Sequence, residues 1–224
     1  MIELYLDTAD LEQVARFNSC LPLKGVTTNP SIVASSGLGL RQLLKELSDI
    51  LGKDARFHAQ VVSQSANAML AEAEGIMALP FDMVVKVPAT EIGLAAIKQM
   101  KTKGIPVLAT AIYSAQQGFM AALCGADYLA PYVNRIDALA GDGVGVVTDL
   151  QNLINDYQLE SKILAASFKS SRQALAIMKL GVGAITLPVD VVGQMLEHPA
   201  VASAVDQFNK DWEGVFGDSL SYNS

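Results

Sequence analysis

Short β-branched runs alternate eight times with longer segments of helical periodicity, and this alternation constrains the chain more than any other feature. The runs are ELYLDT (3–8), GVTTN (25–29), RFHAQVV (56–62), MVVKVPA (83–89), PVLATAI (106–112), YLAPYV (128–133), KILAASF (162–168) and AITLP (184–188). Between them, segments such as LRQLLKELSDILG, SANAMLAEAEGIMAL and EIGLAAIKQMKTKG repeat apolar residues at i, i+3, i+4 and i+7. Several stop at a glycine, as at Gly52, Gly104 and Gly181. Strands that alternate with helices pair in parallel through helical crossovers. Nearly every run is apolar on both faces, which suits a sheet covered on both sides. Eight such units predict an α/β fold, a closed (β/α)8 TIM barrel, compact at 224 residues beside the about 250 typical of that architecture. The rival is an open doubly wound sheet, which announces its nucleotide site with a glycine-rich first turn. Here that turn reads LDTADLEQV, without glycine.

No Gly-, Pro- or Ser-rich linker divides the chain, so residues 1–224 are expected to form one domain. Residues 198–217 follow the eighth unit, with Val201, Val205, Phe208, Trp212 and Val215 at helical spacing. A complete barrel does not need this additional C-terminal helix. It is expected to cap the barrel bottom or to dock on a neighbouring subunit.

A barrel of this kind carries its active site at the C-terminal ends of the strands. Seven runs in a row end in a polar side chain there: Asp7, Thr27 with Asn29, Gln60, Lys86, Thr110, Tyr132 with Arg135, and Ser167 with Lys169. The eighth ends in apolar Leu187. Lys86 interrupts an otherwise apolar strand, and lysine is almost never fully buried unless paired or functional. Burial lowers an ammonium pKa and frees an amine able to attack a ketone. The alternative is a structural ion pair with Asp7 across the barrel. Asp7 itself reads either as a proton-transfer group or as the N-cap of a helix starting near Ala9 or Asp10. Tyr132 reads as a proton donor or as core, and Arg135 as a phosphate ligand or a solvated surface residue. Ser167 and Lys169 precede a helix whose N-terminal amides suit an anion, so with Arg135 they form a candidate phosphate pocket. His58, two residues before Gln60, is expected in the barrel interior one layer deeper.

The remaining composition mainly excludes. A net charge of −7 argues against nucleic acid or an anionic membrane as partner. His58 and His198 are the only histidines and lack ligand spacing, so no metal site and no cofactor are expected. Cys20 and Cys124 read as buried, reduced thiols. The first residues lack a basic, apolar leader pattern, and no apolar run reaches about 18 residues, so a cytoplasmic protein is expected.

The segments LYLDTAD, GVTTNPSI, VVKVPAT, APYVNRID and LAASFK resemble, in order, the signature segments of the transaldolase family. The resemblance runs from Ile2 to Gly217 and is greatest to the short branch, the fructose 6-phosphate aldolases. It implies Lys86 as the Schiff-base lysine and Asp7 as the group handling the hydroxyl beside the breaking bond. It implies Thr27 and Asn29 at the donor hydroxyls and iminium region, Gln60 and Thr110 around a catalytic water, and Arg135, Ser167 and Lys169 on the acceptor phosphate. Transaldolases usually carry Glu, Ser and Phe where this chain has Gln60, Ala130 and Tyr132. These three choose the aldolase branch, in which a Tyr132 hydroxyl with a held water protonates the enamine and releases dihydroxyacetone. The expected reaction is therefore cleavage of fructose 6-phosphate, a sugar phosphate, to dihydroxyacetone and glyceraldehyde 3-phosphate, without metal or organic cofactor. A transaldolase and a non-catalytic sugar-phosphate binder are the alternatives. Leu139 and Ala140 depart from the branch's usual loop, and His58 replaces an expected Phe. The resemblance also implies a homo-oligomer, a decamer of paired pentamers, with the C-terminal helix reaching a neighbour.

Overall fold

The computed structural model describes residues 2–223. Among them, the strands are β1 (Glu3–Asp7), β2 (Leu23–Thr27), β3 (Arg56–Gln60), β4 (Asp82–Pro88), β5 (Val107–Ile112), β6 (Tyr128–Pro131), β7 (Lys162–Ala165) and β8 (Ala184–Leu187). The helices are α1 (Leu11–Asn18), α2 (Pro30–Ser36), α3 (Leu40–Leu51), α4 (Ala66–Met77), α5 (Glu91–Thr102) and α6 (Ala115–Leu123). They continue with α7 (Val133–Ala138), α8 (Gly143–Asp156), α9 (Ser171–Met178), α10 (Val189–Leu196) and α11 (Pro199–Phe216). The strands pair in parallel in chain order and β8 closes on β1, so the expected (β/α)8 barrel with a C-terminal helix is the architecture.

Alternation along each strand sorts side chains between two cores. Outward residues such as Leu6, Val26, Phe57, Val85, Val87, Ala109 and Leu187 pack under the helices. Inward residues Tyr5, Val84, Leu108, Tyr128, Leu164 and Ala184 fill the barrel itself. The bottom is closed by polar contacts rather than apolar ones. Glu3 accepts hydrogen bonds from Tyr5, Tyr128 and Lys162, while Arg56 donates to Asp82 and Tyr128. The inward side chains are thus held from below, and the C-terminal rim carries the polar residues singled out in the sequence.

Local capping matches the sequence. Asp10 caps α1 by accepting from Gln13 N, and Asn29 caps α2 by accepting from Ile32 N. Asp7 is therefore not the cap of the first helix. Most strands stop one to three residues before their runs end, and β6 and β7 show why. Tyr132 leaves β6 as the N-cap of α7, with one bridge to Ala166, and Ser167 has a left-handed backbone (φ 62°) that ends β7. Cys20 and Cys124 are both free but neither is buried as expected: Cys20 is exposed and Cys124 half-buried, because each falls just past the end of a helix, α1 and α6. No helix among the described residues is long and apolar enough to cross a membrane.

Candidate active site

Lys86 lies on β4 with its side chain in the barrel, and the residue is 5% exposed. Its Nζ donates to the backbone carbonyl of Thr28, at 2.5 Å. That carbonyl follows the end of β2, where Thr28 N and Oγ1 are both tied to the His58 carbonyl. Burial pushes the Lys86 pKa down, opposed by the negative charge of Asp7. The two residues line one cavity without forming an ion pair, and the Lys86 ammonium is held by the Thr28 carbonyl instead.

That cavity, of about 250 Å³, is lined by Asp7, Asn29, Lys86, Tyr132, Asn134, Arg135, Ser167 and Lys169, with Ala166, Phe168 and Pro188. Seven of the candidate residues thus converge: Asp7, Asn29, Lys86, Tyr132, Arg135, Ser167 and Lys169. Thr27 stands beneath, fully buried, and donates to Asp7 Oδ1 at 2.7 Å. Its oxygen also meets the Thr186 hydroxyl at 2.7 Å. Since Thr27 spends its proton on Asp7, Thr186 must be the donor of that second bond. The chain Thr186, Thr27, Asp7 fixes the carboxylate from below. Thr186 was not among the residues expected from sequence.

Thr110 is buried as well and acts through a neighbour, its hydroxyl hydrogen-bonded to Tyr132 Oη at 2.9 Å. The Tyr132 pKa is raised, chiefly by burial, so the phenol stays protonated at neutral pH and remains a donor. Its ring is flanked edge-on by Tyr113 at 5.7 Å and carries the Arg135 guanidinium over its face at 4.8 Å. A bulge re-aims this end of β5, where Ala111 (φ 57°) adopts a left-handed backbone and the pairing with β6 slips.

Gln60 departs from expectation. It pairs in register with Lys86 but lines a neighbouring cavity of about 630 Å³, with Pro30, Val62, Pro88 and Thr90. The α9 N-terminus also differs. Lys169 N, Ser171 N and Gln173 N are satisfied by Gln173, Gln194 and Ser170 side chains. The positive character of this end therefore rests on the Arg135 and Lys169 side chains.

His58 sits one layer below Lys86, 1% exposed, between the rings of Tyr5 (4.9 Å) and Tyr128 (5.4 Å). Neither ring nitrogen has a hydrogen-bond partner. Burial first, then the charges of Lys86 and Arg56, push its pKa well below the ordinary 6.5. Unfolding releases this restraint, so the unfolded chain binds a proton there that the fold refuses. Stability is expected to fall as pH drops below 6.5, by up to about 1.4 kcal/mol per pH unit. His58→Phe is expected to remove this contribution. Denaturant titrations of both proteins from about pH 4.5 to 7.5 check it. Parallel profiles would show that His58 is not the group responsible.

Similarity to solved structures extends over the fold. Thiamine phosphate pyrophosphorylase from Pyrococcus furiosus matches with a TM-score of 0.54 at 19% identity, covering 96% of this chain and 98% of that one. A flavocytochrome b2 point variant matches with a TM-score of 0.61 at 10% identity, covering 84% of this chain and 56% of that one. At such identities the likeness is one of architecture alone. The sequence family described as Transaldolase/Fructose-6-phosphate aldolase, by contrast, matches residues 4–221. That match runs from within β1 through β8 and takes in the whole rim that surrounds Lys86, and the chain belongs to this family.

Proposed function

We propose that the protein is a Schiff-base aldolase that reversibly cleaves fructose 6-phosphate to dihydroxyacetone and glyceraldehyde 3-phosphate. The observation that carries this reading is the buried Lys86 amine, held at 2.5 Å from the Thr28 carbonyl and facing a cavity shared with Asp7 and Tyr132. An amine with lowered basicity attacks the substrate ketone and loses water to give an iminium. Asp7 takes the proton from the hydroxyl next to the breaking carbon–carbon bond, and the bonding electrons flow into the iminium. The aldehyde phosphate leaves and an enamine stays on Lys86. Tyr132, kept protonated, delivers a proton to the enamine carbon, and water then hydrolyses the restored iminium. Arg135, Ser167 and Lys169 hold the phosphate, and Asn29 orients the donor hydroxyls. Thr110 aims the phenol. Gln60 contributes to holding the water if its amide turns in from the neighbouring cavity.

The test is purified protein with fructose 6-phosphate, assayed for free dihydroxyacetone with and without an added acceptor aldehyde. Release without acceptor supports the aldolase. Silence until erythrose 4-phosphate is supplied would make the protein a transaldolase.

The assembly is part of the same proposal. Among the described residues α11 buries none of its own side chains, and Val201, Val205, Phe208, Val215 and Phe216 stand exposed. Trp212 is half-covered, against Phe216 and with its Nε1 donating to Ser219 O. A helix this apolar needs a partner surface, and each buried side chain of this kind contributes about 1.5–3 kcal/mol. We expect a homo-oligomer, a decamer of paired pentamers, that shrinks when residues after His198 are deleted. Light scattering checks it; a full-length monomer, or an unchanged particle after deletion, contradicts it.

A further inference from the structure

Arg135 and the Ser167–Lys169 loop reach the cavity from different elements, α7 and the connection from β7 to α9. At their base the two are tied by backbone bonds, Val133 N to Ala166 O at 3.0 Å and Asn134 N to Ser167 O at 2.7 Å. At the outer end one side chain ties them. Gln173 is the third residue of α9, and its own N–H bonds to the Ser170 cap. In a capping box the residue at this position turns back to the N–H of the cap. Gln173 reaches one residue further, and its Oε1 accepts from Lys169 N at 3.0 Å. Its Nε2 crosses to α7 and donates to Asp137 Oδ2 at 2.7 Å and to Asn134 Oδ1 at 3.4 Å. The other Asp137 oxygen accepts from Gly143 N at 2.8 Å. A single amide therefore spans both walls of the candidate phosphate pocket. With Gly143 N on the other oxygen, it also keeps both oxygens of the Asp137 carboxylate occupied.

We infer that Gln173 is a positioning residue for phosphate recognition, setting the spacing between Arg135 and Lys169; the inference rests on the aldolase reading above. It touches no substrate itself. Without it the two cations lose their fixed separation, and Asp137 competes with the phosphate for them. An acceptor without phosphate does not use this spacing and is indifferent to the change.

The experiment is steady-state aldol addition of dihydroxyacetone to either glyceraldehyde 3-phosphate or glyceraldehyde. Gln173→Ala is expected to raise KM for the phosphorylated acceptor roughly 10-fold, with kcat within about two-fold and the glyceraldehyde constants unchanged. Gln173→Glu keeps the acceptor for Lys169 N but sets a second carboxylate against Asp137, so the same selective loss is expected. Adding Asp137→Asn reverses donor and acceptor between the two walls and is expected to restore KM to within about three-fold of wild type. A purely structural role would move stability and both acceptors together, and the exchange would not rescue it selectively. Arg135→Ala, run in parallel, is expected to cost roughly 10- to 150-fold in kcat/KM with the phosphorylated acceptor, and much less with glyceraldehyde. If Arg135→Ala discriminates between acceptors and Gln173→Ala does not, the Gln173 inference is wrong and the phosphate pocket stands. If neither discriminates, the phosphate assignment falls and takes the inference with it. Should Gln173→Ala fail to fold, the exchanged pair decides alone, and absence of rescue overturns the inference.

Discussion

Lys86→Met is expected to lose on the order of 10⁴- to 10⁶-fold in turnover, the scale seen when the covalent group of a catalytic set is removed. Little else on the rim can substitute, because Lys169, the other lysine lining the cavity, is exposed. The fold should survive. Lys86 carries a pKa lowered from 10.5 by burial, so at neutral pH the unfolded chain holds a proton that the fold disfavours. Such a lysine costs stability at every pH below its ordinary value. The thermal midpoint of Lys86→Met at pH 7 is therefore expected at or above that of wild type, and the advantage should shrink as pH rises toward 10.5. Activity and melting curves read both sides together. A variant that stays active removes the covalent role, and one that unfolds marks Lys86 as structural.

Tyr132→Phe is expected to lower acceptor-independent release of dihydroxyacetone by about 10²-fold or more, the worth of a positioned general acid. Transfer of the same three-carbon unit to an added aldehyde phosphate should fall far less. The enamine can attack a second aldehyde without being protonated by the phenol. The substitution deletes only the hydroxyl bonded to Thr110. The ring keeps its contact with Tyr113 and its position under Arg135, so the phosphate side is undisturbed. Measuring both fluxes on one preparation tests this. Equal losses would mean that Tyr132 does not divide release from transfer.

Most of this arrangement was legible in the sequence because barrel geometry turns strand order into spatial order. Reading the polar ends of the apolar runs singled out Lys86, Asp7 and Thr110 without any contact being known, the eight runs all became strands, and period-2 alternation is what turns these side chains inward. The same alternation also locates the miss at β8. Reading its last residue singled out Leu187, which packs outward under the helices. The inward residue is its predecessor, Thr186, and it supports Thr27 and Asp7. Other features depend on distances that sequence does not encode. The acceptor for Lys86 is a backbone carbonyl, which every residue has, so nothing marks Thr28 in advance. Gln173 shows as the last letter of a Ser-x-x-Gln capping pattern, yet its partners on α7 lie 36 and 39 positions away. Gln60 was placed on the correct face and level, but β3 ends beside a second cavity, and that is a matter of loop packing. Tyr132 and Ser167 looked like strand residues because their runs are apolar, whereas a helix start and a left-handed backbone end those strands.

The covalent role of Lys86 is tested most directly by trapping. Protein incubated with dihydroxyacetone and reduced with borohydride should gain one three-carbon adduct per chain, and peptide mass spectrometry should place it on Lys86. Activity should fall in proportion to the labelling, and Lys86→Met should take up none. An adduct on another lysine, or full activity with no adduct under the same conditions, would contradict the account.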